Sequence, residues 1–209
     1  MGPARNGRPA TEEQWADAHA GASGYHASKV LQERVALRAR VPVTTVLPTA
    51  PIGPGDHRPT PTGRMVLDVM SGRMRGTLAG GMNVVPVEDV ASAHVLALRH
   101  GAPGERYIAG GVNMGLAELW RVIAAAAGSR APRLRVPYAA ALLAGGADEM
   151  RVRVSGSEPR VPLEGVRMGR LRMYASSDKA MHALGYRPTP IIPAIERAIT
   201  WYRAHGYAA

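Results

Sequence analysis

Short β-branched runs alternate with longer helical stretches along this chain, and Gly or Pro marks nearly every change; this alternation most constrains the fold. Val41 to Leu47, Asn83 to Val87, Arg106 to Ala109 and Arg133 to Val136 read as strands. Helices are expected over Tyr25 to Leu37, over Gly63 to Ser71 with Thr62 as its cap, and from Glu88-Asp89 to His100. Further helices are expected from Gly115 to Ala127, ended by Gly128, and over Tyr138 to Met150, interrupted by glycines. Residues 151–172 mix apolar residues and arginine without a clear period, and Ser177 to Leu184 and Ile191 to His205 close the chain as helices. Such alternation specifies an α/β fold with parallel strands rather than a bundle or a sandwich. The 209 residues suffice for one large domain or two small ones.

The first helix carries the pattern richest in chemistry. Tyr25 and Lys29 are four residues apart and share one face. A nearby ammonium favours the phenolate, so Tyr25 can take a proton from a hydroxyl or give one to a carbonyl. An exposed surface pair, worth about a few tenths of a kcal/mol, is the competing reading. Against that reading stands the scarcity of lysine: Lys29 and Lys179 are the only two, beside twenty-four arginines. The strand that follows ends in Pro48-Thr49-Ala50-Pro51-Ile52-Gly53-Pro54-Gly55-Asp56. A Pro/Gly loop at the carboxyl end of a parallel strand is where open α/β sheets place ligands, although a plain turn has the same composition.

Composition excludes several classes. The net charge of +10 raises nucleic-acid binding, but the arginines are spread out, Phe is absent and aromatics total 5%, so no base-stacking surface is expected. No cysteine is present, and the seven histidines show no ligand spacing, so no metal site is expected. No basic-plus-apolar leader follows Met1 and no run is long enough to span a bilayer, which sets a cytoplasmic expectation.

Taken together, Tyr25-x-x-x-Lys29, the strand ending in Pro48, Pro51-Ile52-Gly53-Pro54-Gly55-Asp56 and Val85-Pro86-Val87-Glu88-Asp89-Val90-Ala91 resemble the extended short-chain dehydrogenase/reductase (NAD-dependent epimerase/dehydratase) family. Arg106-Tyr107-Ile108-Ala109-Gly110-Gly111 and Ser177-Asp178-Lys179-Ala180 with Leu184-Gly185-Tyr186-Arg187-Pro188 continue the resemblance. Pro59 to Arg64 with Ser71 to Met74 is most similar to hopanoid-associated sugar epimerases and dihydroflavonol 4-reductases. The resemblance implies a Rossmann-like NAD(P)-binding fold with a smaller α/β substrate domain. It implies hydride transfer at a hydroxyl or carbonyl of a sugar-like small molecule, with NAD or NADP as cofactor. Tyr25 would be the acid/base, Lys29 would bind the nicotinamide ribose, and Pro48, Thr49, Ala50 and Ile52 would line the nicotinamide side. Arg64, Arg73 and Arg170 can receive an anionic substrate such as a diphosphate-sugar, with solvated surface arginine as the competing reading. A homodimer through the Tyr25–Leu37 helix is also implied.

Departures from the family pattern set the remaining expectations. No G-x-x-G-x-x-G follows a strand, and Gly110-Gly111-x-x-x-Gly115 fits a substrate-domain turn instead of a pyrophosphate loop. Thr11 and Ser23 are poorly placed substitutes for the family's catalytic Ser or Thr, and Pro86 stands where the family has histidine. The chain is therefore expected to be truncated: a leader loop over 1–24, a remnant of the dinucleotide-binding domain over 25–75, and mainly substrate domain over 76–209, with 84–100 returning to the Rossmann part. Impaired activity alone is expected, and the second functional hypothesis is an inactive fragment acting as a binding or regulatory module.

Overall fold

The computed structural model describes residues 8–15, 24–156 and 163–207; the side chains of residues 24–26 and 164 lie outside the description. In chain order the elements are α1 (Gly24–Ala36), β1 (Thr45–Pro48), β2 (Ala50–Ile52), α2 (Pro61–Met70), β3 (Gly76–Thr77) and β4 (Gly81–Pro86). Then follow α3 (Val87–His100), β5 (Arg106–Ala109), β6 (Val112–Gly115), α4 (Leu116–Ala127), β7 (Leu134–Arg135) and α5 (Tyr138–Ser155). The chain closes with α6 (Leu163–Met168), β8 (Arg172–Met173), α7 (Asp178–Leu184) and α8 (Ile191–Ala204).

The α/β class is as the alternation requires. β1 pairs in parallel with β5, Thr45 opposite Arg106 and Pro48 opposite Ala109, while β2 pairs in parallel with β4, Ala50 opposite Val84. β3 and β7 form a third parallel pair, and β6 and β8 both pair with β4. The chain divides into two compact, interleaved units: Met1–Gly53, Asn83–Asn113 and Met173–Ala194 form one, and Pro54–Met82, Met114–Arg172 and Ile195–Ala209 the other.

In the first unit α3 and α7 close over β5, and Ala93, Ala97, Tyr107, Ala109, Ala180, Leu184 and Tyr186 form a buried cluster. Small residues on the helices allow this close approach, and Tyr186 donates its hydroxyl to the Gly110 carbonyl oxygen at 3.0 Å. The segment expected as a leader loop is partly tied down. Ala10 bridges in parallel to Ala175, and the Glu12 carboxylate accepts the Ile108 N–H at 2.8 Å. In the second unit α2 packs on α4, and Val66, Val69, Leu119, Ile123, Ile195 and Ile199 are buried.

Three local expectations are corrected. The first strand is confined to Thr45–Pro48, because Pro42 has no N–H to donate and Val41 is exposed. Helix α2 is capped by Thr60, whose hydroxyl accepts the Gly63 N–H at 3.1 Å; Pro61, needing no N–H, takes the first helical position and Thr62 lies inside. The last helical glycines do not break α5, which runs on to Ser155 and ends at Gly156 with φ 62, and α6 occupies part of the stretch that showed no period.

Candidate functional site

Positions 25 and 29 both lie in α1, one turn apart, so the helical spacing expected of Tyr25 and Lys29 is present in the backbone. The Tyr25 side chain lies outside the description. Lys29 is exposed, and its Nζ donates to Gln32 Oε1 at 3.3 Å. Pro48 ends β1 and is exposed; the chain then passes through Thr49 into β2, whose Ile52 is buried. Thr49 thus carries the chain from the strand beside β5 to the strand beside β4.

What holds that crossing is a residue that sequence reasoning missed. Asn83, on the fully buried strand β4, accepts the Thr49 hydroxyl proton at 2.8 Å and the Gly111 N–H at 2.8 Å through Oδ1. Its Nδ2 donates to Asn113 Oδ1 at 2.8 Å and to the Ala175 carbonyl oxygen at 3.3 Å. Asn113 in turn accepts the Ala175 N–H at 3.0 Å. One amide therefore ties three separate segments to β4. A buried polar residue inside an otherwise apolar strand was the available signal.

Gly110 and Gly111 do not cradle a phosphate. The Gly110 N–H donates to Ser177 Oγ at 3.0 Å and the Gly111 N–H to Asn83, so both amides are consumed within the chain. A Cβ at Gly110 would lie 2.7 Å from Asn83 Oδ1, which explains glycine there by close packing.

The three arginines considered for substrate belong to the second unit and have different surroundings. Arg64 is exposed on α2. Arg73 pairs through Nε with Asp68 Oδ1 at 3.0 Å, and the Arg170 guanidinium lies 4.9 Å from the centre of the Tyr138 ring. In the same unit Asp56 accepts the Thr60 N–H at 2.9 Å and the Tyr202 hydroxyl at 2.9 Å on Oδ2, pinning the end of the Pro/Gly loop to α8. Burial, followed by the hydrogen bond to Asp56 and its charge, pushes the Tyr202 phenol well above its usual range. Asp89 bonds the Thr189 N–H at 2.6 Å and its hydroxyl, a structural role. A groove of about 530 Å³ in the first unit, lined by Thr11, Glu13, Glu105, Asp178 and Lys179 among others, contains none of the residues expected to meet cofactor.

Residues 2–110 match the model of the NAD dependent epimerase/dehydratase family, just over half of the chain. The chain belongs to this family. It is 34% identical over 190 residues to a putative dihydroflavonol 4-reductase of Synechocystis, covering 88% of this chain and 55% of that protein. The crystal structure of gox2253 superposes with a TM-score of 0.83 at 38% identity, over all of this chain and 64% of that one. A nucleoside-diphosphate-sugar epimerase from Pseudomonas aeruginosa superposes with a TM-score of 0.81 at 28% identity, over all of this chain and 65% of that one. The chain spans about half the length of the curated relatives it matches. These likenesses establish a Rossmann-like fold.

The residues fit one end of the family's cofactor. An exposed lysine one turn beyond position 25 and an exposed Pro48 at the carboxyl end of a parallel strand suit a nicotinamide riboside. The Gly110 and Gly111 amides, both already bonded within the chain, do not hold its pyrophosphate end. No helix of the described residues is long and apolar enough to cross a membrane.

Proposed function

We propose that this chain carries the proton-transfer machinery of an NAD(P)-dependent oxidoreductase or epimerase acting on a hydroxyl or carbonyl of a sugar-like small molecule. The observation that carries the reading is the single uninterrupted helix α1 bearing Tyr25 and Lys29, in the same unit as the Pro48–Ile52 segment. A bound nicotinamide supplies hydride acceptance and donation. Tyr25 Oη takes the proton from the substrate hydroxyl, or returns it to the carbonyl oxygen. Lys29 binds the ribose hydroxyls and keeps the phenolate accessible by its charge. Pro48, Thr49, Ala50 and Ile52 line the nicotinamide, and Thr49 is held in place by Asn83.

The test is turnover of nucleotide-sugars and dihydroflavonols by the chain supplied with a relative's Gly-rich cofactor-binding segment. Tyr25→Phe is expected to lower turnover about a hundredfold or more; undiminished turnover removes the role. For the chain alone, calorimetry is expected to find weak binding of NAD or NADP, since the Gly110 and Gly111 amides are already bonded. The same occupancy favours a second reading, an inactive binding or regulatory module, which complementation without any turnover would support. Association through α1 is also proposed: Leu31 and Val35 are exposed on it at 51% and 71%, and Leu31→Asp should shift sedimentation from dimer to monomer.

A further inference from the structure

Helix α1 is thinly held. Of its described side chains only Val30 is buried, while Leu31 and Val35 are exposed. Burial of one apolar side chain is non-directional, so it leaves the tilt and rotation of a helix loosely set. Glu33 supplies the direction. Its carboxylate takes a two-pronged grip from Arg106, Nε donating to Oε1 at 2.7 Å and Nη2 to Oε2 at 3.4 Å. The Arg106 and Glu33 side chains are 6% and 10% exposed. Arg106 is itself held from two further sides: Nη1 donates to the Glu12 carbonyl oxygen, and the guanidinium carbon lies 3.7 Å from the centre of the Trp15 ring. All of these residues belong to the first unit.

Around the helix, position 33 lies about 40° from position 29 and about 80° from position 25, on the face that carries Tyr25 and Lys29. Glu33 is near the end of α1 that leads into β1, and Arg106 opens β5 opposite Thr45, the first residue of β1. Position 25 is at the far end of α1, as Pro48 is of β1. We propose that Arg106 and Glu33 are positioning residues that set how Tyr25 and Lys29 meet the Pro48 end of β1; this rests on the proton-transfer reading given above. Eight residues of helix cover about 12 Å, and three residues of strand cover about 10 Å. A helix pinned at Glu33 and running back along β1 therefore brings position 25 level with Pro48. With the pin about 12 Å away, a tilt of about 5° displaces position 25 by about 1 Å. A misplacement of about 1 Å can cost about a hundredfold in rate.

Apolar residues can replace a buried ion pair without loss of stability, whereas removing one partner strands a charge. The test variant is therefore Arg106→Met with Glu33→Leu, checked by its urea midpoint. The chain has no cysteine, so Arg34→Cys on α1 and Val112→Cys on β6, both exposed in the first unit, take one spin label each. Diluted in unlabelled chain, the labelled chain is expected to give one narrow distance distribution by double electron–electron resonance. The test variant is expected to broaden it at an unchanged urea midpoint. In the chain supplied with a relative's Gly-rich segment, the variant is expected to lower kcat about tenfold or more, with KM changed less than about twofold. In the Tyr25→Phe background it is expected to add no further loss. An unchanged distance distribution or full turnover overturns the proposal, and so does a loss that adds in full to that of Tyr25→Phe. If Tyr25→Phe alone leaves turnover undiminished, the proton-transfer role fails, and the distance measurement still decides whether the pair fixes α1. If the apolar pair fails to fold, Arg106→Lys, which keeps the charge and loses the two-pronged grip, decides by the same readouts.

Discussion

Replacing Asn83 by leucine tests the hub of the first unit, because leucine keeps the shape of the side chain and removes all of its hydrogen bonding. The amide is 2% exposed, so water does not replace its partners. Asn113 is exposed and can be resolvated, which leaves the Thr49 hydroxyl and the Gly111 N–H as orphans. At about 1–3 kcal/mol for each unsatisfied group when fully buried, these two half-buried ones cost at most about 2–6 kcal/mol. That is a large share of a total stability of about 5–15 kcal/mol. In urea unfolding followed by circular dichroism, the midpoint is expected to fall by about 1–2 M. Thr49→Val should cost less in the Asn83→Leu background than alone, since its partner is already gone. Asn83→Asp keeps the acceptor for Thr49 and Gly111, but turns a carboxylate oxygen toward Asn113 Oδ1 and the Ala175 carbonyl. That variant is expected to be more stable in mild acid than at neutral pH, because protonation restores one donor. A midpoint shift below about 0.3 M for Asn83→Leu, or strict additivity with Thr49→Val, would refute the hub.

Burial, followed by the charge of Asp89, raises the Tyr186 phenol, and burial with Asp56 raises that of Tyr202. Phenols raised in the folded state stabilise it below their unfolded value of about 10 and lose that contribution as pH climbs past it. Unfolding midpoints should therefore drop above about pH 10, and Tyr186→Phe with Tyr202→Phe should flatten that drop; an unchanged alkaline slope refutes it. Arg106 is 5% exposed, pairs through Nε with Glu33 Oε1 at 2.7 Å, and lies 3.7 Å from the centre of the Trp15 ring. Arg106→Ala should cost about 3–5 kcal/mol and alter tryptophan emission, whereas a loss below about 1 kcal/mol would show that the pair is dispensable. A Cβ at Gly63 would collide with Asp56 Oδ2 and the Tyr202 hydroxyl, so Gly63→Ala should lower the melting temperature by several degrees; an unchanged melt would refute the close contact. The Lys179 hydrogen bond, then its charge, holds Glu105 below the usual carboxylate range. Lys179→Met should return the Glu105 titration seen by NMR to that range, with little effect on the exposed pair's contribution to the melt.

Local periodicity and chain punctuation were enough to determine the α/β class, the strand Arg106–Ala109, the helix ending at His100 and the one stopped by Gly128 at φ 65. They also put positions 25 and 29 one turn apart, because helical spacing depends only on neighbours in the chain. Tertiary structure alone decided the rest. Asn83 reaches partners 34, 28, 30 and 92 residues away, and Asp56 meets Tyr202 across 146. No periodic pattern encodes such pairings, since they arise where the tertiary fold brings remote segments side by side. The exposure of Leu143, Met150 and Val154 on α5 was hidden for a related reason. A spacing identifies one face of a helix, but only the surrounding packing determines which face is covered.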